Sequence, residues 1–396
     1  GVRVRLLLDD THPPMRDQLL SQLDAHPNVS VRIFNPFSRR MFRLPQFILR
    51  FSTLNRRMHN KVLILDDAIA ITASRNIGDE YFEVKPTLTF GDLDVLTVGP
   101  VVDTMNPLFD RYWRYPASRD YAELKRWTGP WDPKPIRADT HDYRDLASEL
   151  LAGRTRLQWK KVELIADEPE KIETPARLGE FLDATALKDA SRGLEEQLFI
   201  ISPYFVPGEE GVRYFRQLRE RGIGVTVFTN SFASTDVQVV HSAYQKYREQ
   251  LLAMGVEIYE LKQLQRRLRI MEKLRKYRKE RNRAGPRASL HAKVIVYDRK
   301  RLYIGSMNAD PRSIHHNTEM GLLIESPGYA VAIIDWFLEN RADIAYRLEI
   351  DGEEGAGRIA WNDAARQQAS MIEPNMNAFQ KLWIGFLSLL PGESQL

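Results

Sequence analysis

His59 and Lys61 set an imidazole and an ammonium two positions apart, and Asp66 follows five residues after the lysine. His291, Lys293 and Asp298 repeat that spacing. Each copy then continues in the same way, to Ser74 and Asn76 in the first and to Ser306 and Asn308 in the second. One H-x-K is a frequent accident, but two copies of H-x-K-x4-D-x6-(G/A)-S-x-N in 396 residues are not. In an extended strand alternate side chains share a face, so each His is expected to point the same way as its Lys. That pairing suits phosphate chemistry. The lysine neutralises non-bridging oxygens, a neutral imidazole nitrogen attacks phosphorus, and a second imidazole serves as general acid. Ser74, Asn76, Ser306 and Asn308 are expected to add neutral hydrogen bonds to the substrate phosphate.

A nucleophilic histidine needs an acceptor on its other ring nitrogen to fix the tautomer. Each half offers one at a matching place: Asp92, eight residues before Pro100, and Glu319, eight residues before Pro327. Each is expected to orient the histidine of its own half, with Asp94 as the alternative in the first. Asp66 and Asp298 fall where a hairpin must turn, and are expected to hold that turn rather than touch substrate. His12, His26, His141, His241, His315 and His316 read as structural. His315 and His316 are adjacent without a third ligand at metal spacing, so no catalytic metal and no cofactor is expected.

The elements that must position these residues also repeat. Gly1–Leu7 reads as a strand, Met15–Ala25 as a helix and Val29–Phe34 as a strand; a loop rich in Arg, Phe and Pro then leads to His59. The second half runs Gly222–Phe228, Val239–Met254 and Val256–Leu261, then a basic loop to His291. His59–Leu65 with Ala68–Ala73, and Lys293–Tyr297 with Leu302–Ile304, read as hairpins. A further strand follows each, Leu93–Val98 and Met320–Ile324, and then a helix, Val101–Tyr115 and Tyr329–Tyr346. Residues 351–360 read as a loop. The alternation predicts an α/β fold of two similar lobes, each a mixed β-sheet flanked by helices, related by a pseudo-two-fold. The expected boundaries are 1–130 for the first lobe, 131–155 for a connector and 156–396 for the second lobe, with a basic insertion at 262–287. The second half also opens on a strand, Gln197–Phe205, and a helix, Gly211–Arg221, with no counterpart ahead of Gly1. By that symmetry the first lobe is expected to lack roughly 30 opening residues.

Composition is that of a soluble globular protein, 43% hydrophobic and 28% charged. With no cysteine, disulfides, thiolate metal sites and cysteine nucleophiles are excluded. No apolar run approaches the ~20 residues that span a bilayer, so membrane contact by these residues is expected to be peripheral. The formal charge of +4 is unevenly spread. Lys262–Arg287 holds twelve basic and two acidic residues, leaving the remainder net acidic. Leu264, Leu268, Met271, Leu274 and Tyr277 recur there at helical spacing, the pattern of a basic amphipathic helix suited to an anionic membrane. The tail Asn375–Leu390 also has apolar residues at helical spacing.

On the doubled motif the chain resembles the phospholipase D superfamily over nearly its whole length. The strings Ser74-Arg75-Asn76-Ile77-Gly78-Asp79-Glu80-Tyr81-Phe82 and Asn308-Ala309-Asp310-Pro311-Arg312-Ser313 make it similar to bacterial cardiolipin synthases of the C-type branch. Ala73 stands where that family usually has glycine. The resemblance implies a catalytic set of His59, Lys61 and Asp66 with His291, Lys293 and Asp298. His59 would be the nucleophile that forms a phosphohistidine, and His291 the acid and base. It also implies phospholipid substrates (phosphatidylglycerol, with phosphatidylethanolamine as a candidate second lipid) and a peripheral place on the cytoplasmic side of the bacterial inner membrane. Because one chain carries both half-sites, a monomer would suffice. The alternatives are a hydrolase or nuclease of the same superfamily and an inactive scaffold that binds anionic lipid. The basic stretch has few aromatic residues for stacking on bases, which argues against nucleic acid.

Overall fold

The computed structural model describes residues 1–11, 17–38, 42–78, 81, 88–124, 148–149, 152–154, 157–173, 185–263, 287–352, 357–377, 380, 382–383 and 385. Most of the expected connector 131–155, nearly all of the basic stretch and the end of the tail lie outside these residues. The strands in chain order are β1 (Val4–Asp9), β2 (Val29–Phe34), β3 (Val62–Leu65), β4 (Ile69–Ala73), β5 (Leu88–Gly91) and β6 (Asp94–Val98). Then come β7 (Ser118–Asp120), β8 (Lys161–Ala166), β9 (Gln197–Ile201), β10 (Gly224–Asn230), β11 (Glu257–Leu261) and β12 (Arg287–Leu290). The last are β13 (Val294–Tyr297), β14 (Arg301–Gly305), β15 (Met320–Glu325), β16 (Ala345–Asp351), β17 (Arg358–Asp363) and β18 (Gln368–Ser370). The fold is mixed α/β, with sheets flanked by helices.

Contacts group the chain into two compact units, Gly1–Met58 with Phe109–Lys161, and His59–Leu108 with Val162–Leu396. These contact units are cut at other places than the lobes expected from the repeat. In the first unit β1 pairs parallel with β2, and β2 antiparallel with β7. Val31, Ile33 and Tyr121 form its small core, with Leu6, Leu8, Leu20 and Leu23 against them.

The second unit is built on a sheet of ten strands in the order β18-β17-β16-β11-β10-β9-β13-β14-β15-β8. Its central strands β9, β10 and β11 run parallel, and β13, β14 and β15 are antiparallel. Those strands are apolar on both faces, as a doubly covered sheet requires. Leu198 and Ile200 join one core with Val212, Phe215 and Leu218 of the helix Gly208–Glu220. Phe199 and Ile201 join the other core. That second core takes in Ala70, Val101, Val102 and Met105, with Val62, Ile64 and Val95 packed against it. The sheet β3-β4-β6 therefore shares a core with the ten-stranded sheet, which is why both histidine motifs fall in one unit.

Several expected elements differ in detail. The motif residues lie just before their strands, which open at Val62 and Val294. The His59 amide donates to Thr318 O at 2.9 Å and the His291 amide to Gly91 O at 2.9 Å, so neither joins its own hairpin's ladder. The expected helix Val239–Met254 is divided into Gln238–Tyr244, a 3₁₀ turn Gln245–Tyr247 and Arg248–Ala253. At the second division Arg248 turns inward, onto Glu260 at 2.7 Å and Glu373 at 2.8 Å. The residues expected as the loop 351–360 begin with the end of β16 and close with the start of β17. No described helix is long and apolar enough to cross a membrane.

Candidate active site

The two hairpins are built alike. Asp66 and Asp67 have φ of 50° and 53°, and Asp298 and Arg299 have the same pair of values. Three residues separate the paired strand ends, Leu65 from Ile69 and Tyr297 from Arg301, and positive φ at the first two of them turns the chain in a conformation that Asp adopts with little strain. Behind each turn the Lys61 carbonyl accepts from Ala73 N at 3.4 Å, and the Lys293 carbonyl from Gly305 N at 3.3 Å. Local packing explains the Ala/Gly difference between the copies. A methyl group on Gly305 would collide with Met320 O and the Tyr303 hydroxyl, whereas Ala73 lies opposite Asp94 in the β4–β6 register.

The turn aspartates stand at the far ends of β3 and β13 from the histidines. Their grouping with the catalytic residues is therefore corrected: both are turn residues. Asp66 is exposed. The Asp298 carboxylate accepts from the backbone amides of Glu195, Glu196 and Gln197 at 3.0, 2.8 and 2.9 Å. Burial alone would raise its pKa, but those three amides hold it below the usual carboxylate value.

The orienting carboxylates are Asp92 and Glu319, but they cross between the halves. His59 Nδ1 lies 2.8 Å from Glu319 Oε2, and His291 Nδ1 lies 2.9 Å from Asp92 Oδ2. The own-half pairing expected from sequence is thus corrected. The backbone gives the reason. Thr318 O, which receives the His59 amide, immediately precedes Glu319, and Gly91 O, which receives the His291 amide, immediately precedes Asp92. In addition β12 runs parallel to β5 with Leu290 beside Gly91, a ladder between the two halves of the sequence. Asp94, the alternative in the first half, instead pairs with Arg75 at 2.8 Å.

The serines are also corrected. The Ser306 hydroxyl donates to Glu319 Oε2 at 2.5 Å, and the Ser74 hydroxyl donates to Asp92 Oδ1. A serine has one proton to give, and each gives it to an orienting carboxylate rather than to a substrate phosphate. Behind Glu319 stands a further brace: its amide donates to Asp167 Oδ2 at 2.9 Å, and Lys171 Nζ lies 2.7 Å from that same oxygen. Burial pushes the Asp167 carboxyl up to about 6, against the pull of Lys171.

The electrostatics fix the protonation pattern. Burial would raise both orienting carboxylates, yet the His59 contact and Lys61 hold Glu319 below its usual value, and the His291 contact does the same for Asp92. Burial lowers His59 against the pull of Glu319, with Lys61 and Lys293 pushing the same way as burial. His291 falls to about 3 through burial and Lys293, against the pull of Asp92. Each pair is then a neutral imidazole beside an ionised carboxylate. The carboxylate can only accept, so Nδ1 carries the proton and Nε2 the lone pair. Burial brings Lys293 down to about 7, despite Asp92.

The two Nε2 environments differ. The His291 side chain is 6% exposed, and its Nε2 lies 3.1 Å from Lys293 Nζ and 3.4 Å from the Tyr81 hydroxyl. The His59 side chain is 25% exposed. Each lysine folds back on its own motif, Lys61 Nζ to His59 O and Lys293 Nζ to His291 O, both at 2.6 Å. The asparagines are placed unequally too. Asn76 Nδ2 donates to the Tyr81 hydroxyl at 2.7 Å. Asn308 is buried, and its Oδ1 has no hydrogen-bond partner among the described residues.

Tyr81 is the residue that the motif spacing missed. Its ring meets His291 edge-on, with centroids 4.9 Å apart. It lies inside a string quoted for its resemblance, but nothing in one sequence marks it as a neighbour of a histidine 210 positions away.

The profile of the family described as "Cardiolipin synthase, PLD-like domain" matches residues 185–341. The chain is 38% identical to cardiolipin synthase C of Escherichia coli (strain K12), over 99% of this chain and 84% of that protein. It is 27% identical to a cardiolipin synthase of Geobacillus kaustophilus (strain HTA426), over 89% of this chain and 58% of that one. Among solved structures, the phosphatidylserine synthase of Haemophilus influenzae Rd KW20 aligns with a TM-score of 0.53 at 13% identity, covering 88% of this chain and 83% of that chain, which is a likeness of fold. On these similarities the chain belongs to the phospholipase D superfamily, on the C-type branch of its cardiolipin synthases.

Proposed function

We propose that this protein is a phosphatidyltransferase that makes cardiolipin from phosphatidylglycerol and a second phospholipid through a phosphohistidine. The observation that carries the reading is the pair of neutral imidazoles, each with Nδ1 held by a buried carboxylate and Nε2 left with its lone pair. In the first step His59 Nε2 forms a bond to the donor phosphorus, and the bond from phosphorus to the head-group oxygen breaks. His291 delivers to that oxygen the proton shared between its Nε2 and Lys293 Nζ. In the second step a hydroxyl of the acceptor phosphatidylglycerol attacks phosphorus, its proton passes to His291, and the phosphorus–nitrogen bond breaks. The greater exposure of His59 supports its role as nucleophile, and the Lys293 contact supports His291 as acid and base. Lys61 and Lys293 balance the phosphate charge, while Asn76 and Asn308 supply amide contacts to it.

The donor is phosphatidylglycerol, losing glycerol, or phosphatidylethanolamine, losing ethanolamine. The enzyme works as a monomer, peripherally on the cytoplasmic face of a bacterial inner membrane. The test is incubation with labelled phosphatidylglycerol, with and without phosphatidylethanolamine, beside a single-stranded DNA control. Labelled cardiolipin that disappears in His59→Ala and in His291→Ala is the expected result. DNA cleavage without lipid turnover would replace the proposal with a nuclease.

A further inference from the structure

The helix Arg43–Leu49 is built inside out. Its buried side chain is Gln46, 3% exposed, while Leu44, Ile48 and Leu49 are 70%, 67% and 77% exposed. Phe42, just ahead of the helix, is 88% exposed, and Phe51, just after it, is also exposed. The inversion is held by hydrogen bonds. Gln46 Oε1 accepts from Ser38 N at 2.6 Å, and Gln46 Nε2 donates to Ser38 O at 2.9 Å and to Phe42 O at 3.2 Å. The amide is thus tied to the preceding loop, and that fixes the apolar side outward. Apolar residues so clustered on a surface mark a docking face.

The charge around this face selects the partner. From Ser38 to Met58 the sequence has six arginines and no Asp or Glu. Among the described residues Arg43 and Arg57 pair with Asp10 and Asp9, Arg56 is buried, and Arg50 is exposed beside the apolar cluster. Apolar side chains beside an exposed arginine, in a stretch without an acidic residue, suit the boundary of acyl chains and anionic head groups, where the former are buried and the latter are bound. A protein partner could match the apolar residues, but a surface that offers hydrocarbon and negative charge together is a bilayer.

We propose that Phe42, Leu44, Ile48, Leu49 and Phe51 insert into an anionic phospholipid surface and dock the enzyme there. This rests on the phospholipid-transferase reading for its purpose, and its test does not depend on turnover. The face lies within the sequence between β2 and the first histidine motif. It is a different segment of the sequence from the basic stretch 262–287, which sequence alone favours for membrane contact.

The experiment is co-sedimentation of the intact protein with vesicles of phosphatidylcholine containing phosphatidylglycerol, beside vesicles of phosphatidylcholine alone. The wild type is expected to bind the anionic vesicles, and the exposed triple variant Leu44→Gln, Ile48→Gln, Leu49→Gln to bind at least about tenfold more weakly. Unchanged thermal unfolding of the triple variant shows that it folds. Leu49→Trp gives a direct reading: its emission is expected to move to the blue on adding anionic vesicles. Equal vesicle binding by the triple variant, or a tryptophan emission that vesicles leave unchanged, would overturn the proposal. So would emission already blue-shifted without lipid, or a dimer that the triple variant dissolves, since either shows protein covering the face. Vesicle binding that depends on these residues in a protein that makes no cardiolipin would refute the transferase reading and leave the docking face standing.

Discussion

The two half-sites share a sequence pattern, a hairpin and a turn geometry, yet they present their histidines differently. His59 is oriented by Glu319, which is braced by Ser306, Asp167 and Lys171. His291 is oriented by Asp92 and is enclosed by Lys293 and Tyr81. The open imidazole suits attack on phosphorus. The enclosed one, beside a lysine that burial has brought to about 7, suits proton transfer. A duplicated motif can thus divide the labour of a two-step transfer through second neighbours alone. Crossing the carboxylates between halves also makes each half-site incomplete without the other.

The largest effect is expected from the histidines. His59→Ala and His291→Ala should each lower cardiolipin formation by about 10⁴-fold or more. They should separate on a phosphodiester with a p-nitrophenyl leaving group, which departs without a proton. His291→Ala keeps phosphoenzyme formation on that substrate and His59→Ala does not. Equal behaviour of the two variants would remove the division of labour.

Next come the crossed carboxylates. Glu319→Gln and Asp92→Asn are each expected to slow turnover by about 10² to 10⁴-fold, through the tautomer and orientation of the imidazole each holds. Ring-nitrogen NMR distinguishes the crossed arrangement from the own-half one. Glu319→Gln should shift the signals of His59, and Asp92→Asn those of His291. The reverse assignment would contradict the geometry.

A pH profile addresses Lys293. Burial lowers this ammonium from the ordinary lysine value to about 7, so its charge is present below that pH and lost above it. The value of kcat/KM is expected to fall as pH rises through about 7. Lys293→Arg, which stays charged but cannot give up its proton, should lower turnover and abolish that alkaline limb, and a limb left in place would assign it elsewhere. The same shift has a stability consequence. Between the folded and unfolded lysine values the unfolded chain binds more protons, so this group's contribution to stability rises with pH over that window.

Smaller effects are expected further out. Tyr81→Phe removes a hydroxyl that receives Asn76 and lies near His291 Nε2. A loss of about fivefold in kcat is expected, as for one net hydrogen bond. A change confined to KM would mean that the hydroxyl serves binding. Asp298→Asn should destabilise the fold by about 1–3 kcal/mol, since one amide oxygen replaces two that bind three backbone amides. Asp66→Asn, at an exposed turn with φ that Asn adopts readily, should stay within about 0.5 kcal/mol. Thermal unfolding measures both, and equal shifts would show that the two turns are anchored alike.

Much of this was legible in the sequence because it is carried by period and repetition. The hairpins, their turns, the following strands and the identities of His59, His291, Asp92 and Glu319 all follow from matching one half of the chain to the other. The partners do not. A repeat treats own-half and crossed pairing as equivalent, and only the β5–β12 ladder decides between them. The serines were misplaced for a related reason. A hydroxyl near a phosphate site is a plausible donor until its one proton is seen to go to a carboxylate. The inverted helix was hidden because the stretch rich in Arg, Phe and Pro before His59 reads as a loop, and the bonds that turn Leu44, Ile48 and Leu49 outward run from Gln46 to Ser38 and Phe42.

The most direct measurement is to quench the enzyme in cold alkaline denaturant, which spares the acid-labile phosphorus–nitrogen bond, during turnover of phosphatidylglycerol labelled in its phosphate, and to map the labelled peptide without acid. Label is expected on the peptide holding His59, present in the wild type and absent in His59→Ala. Label on the peptide holding His291, persisting in His59→Ala, would contradict it.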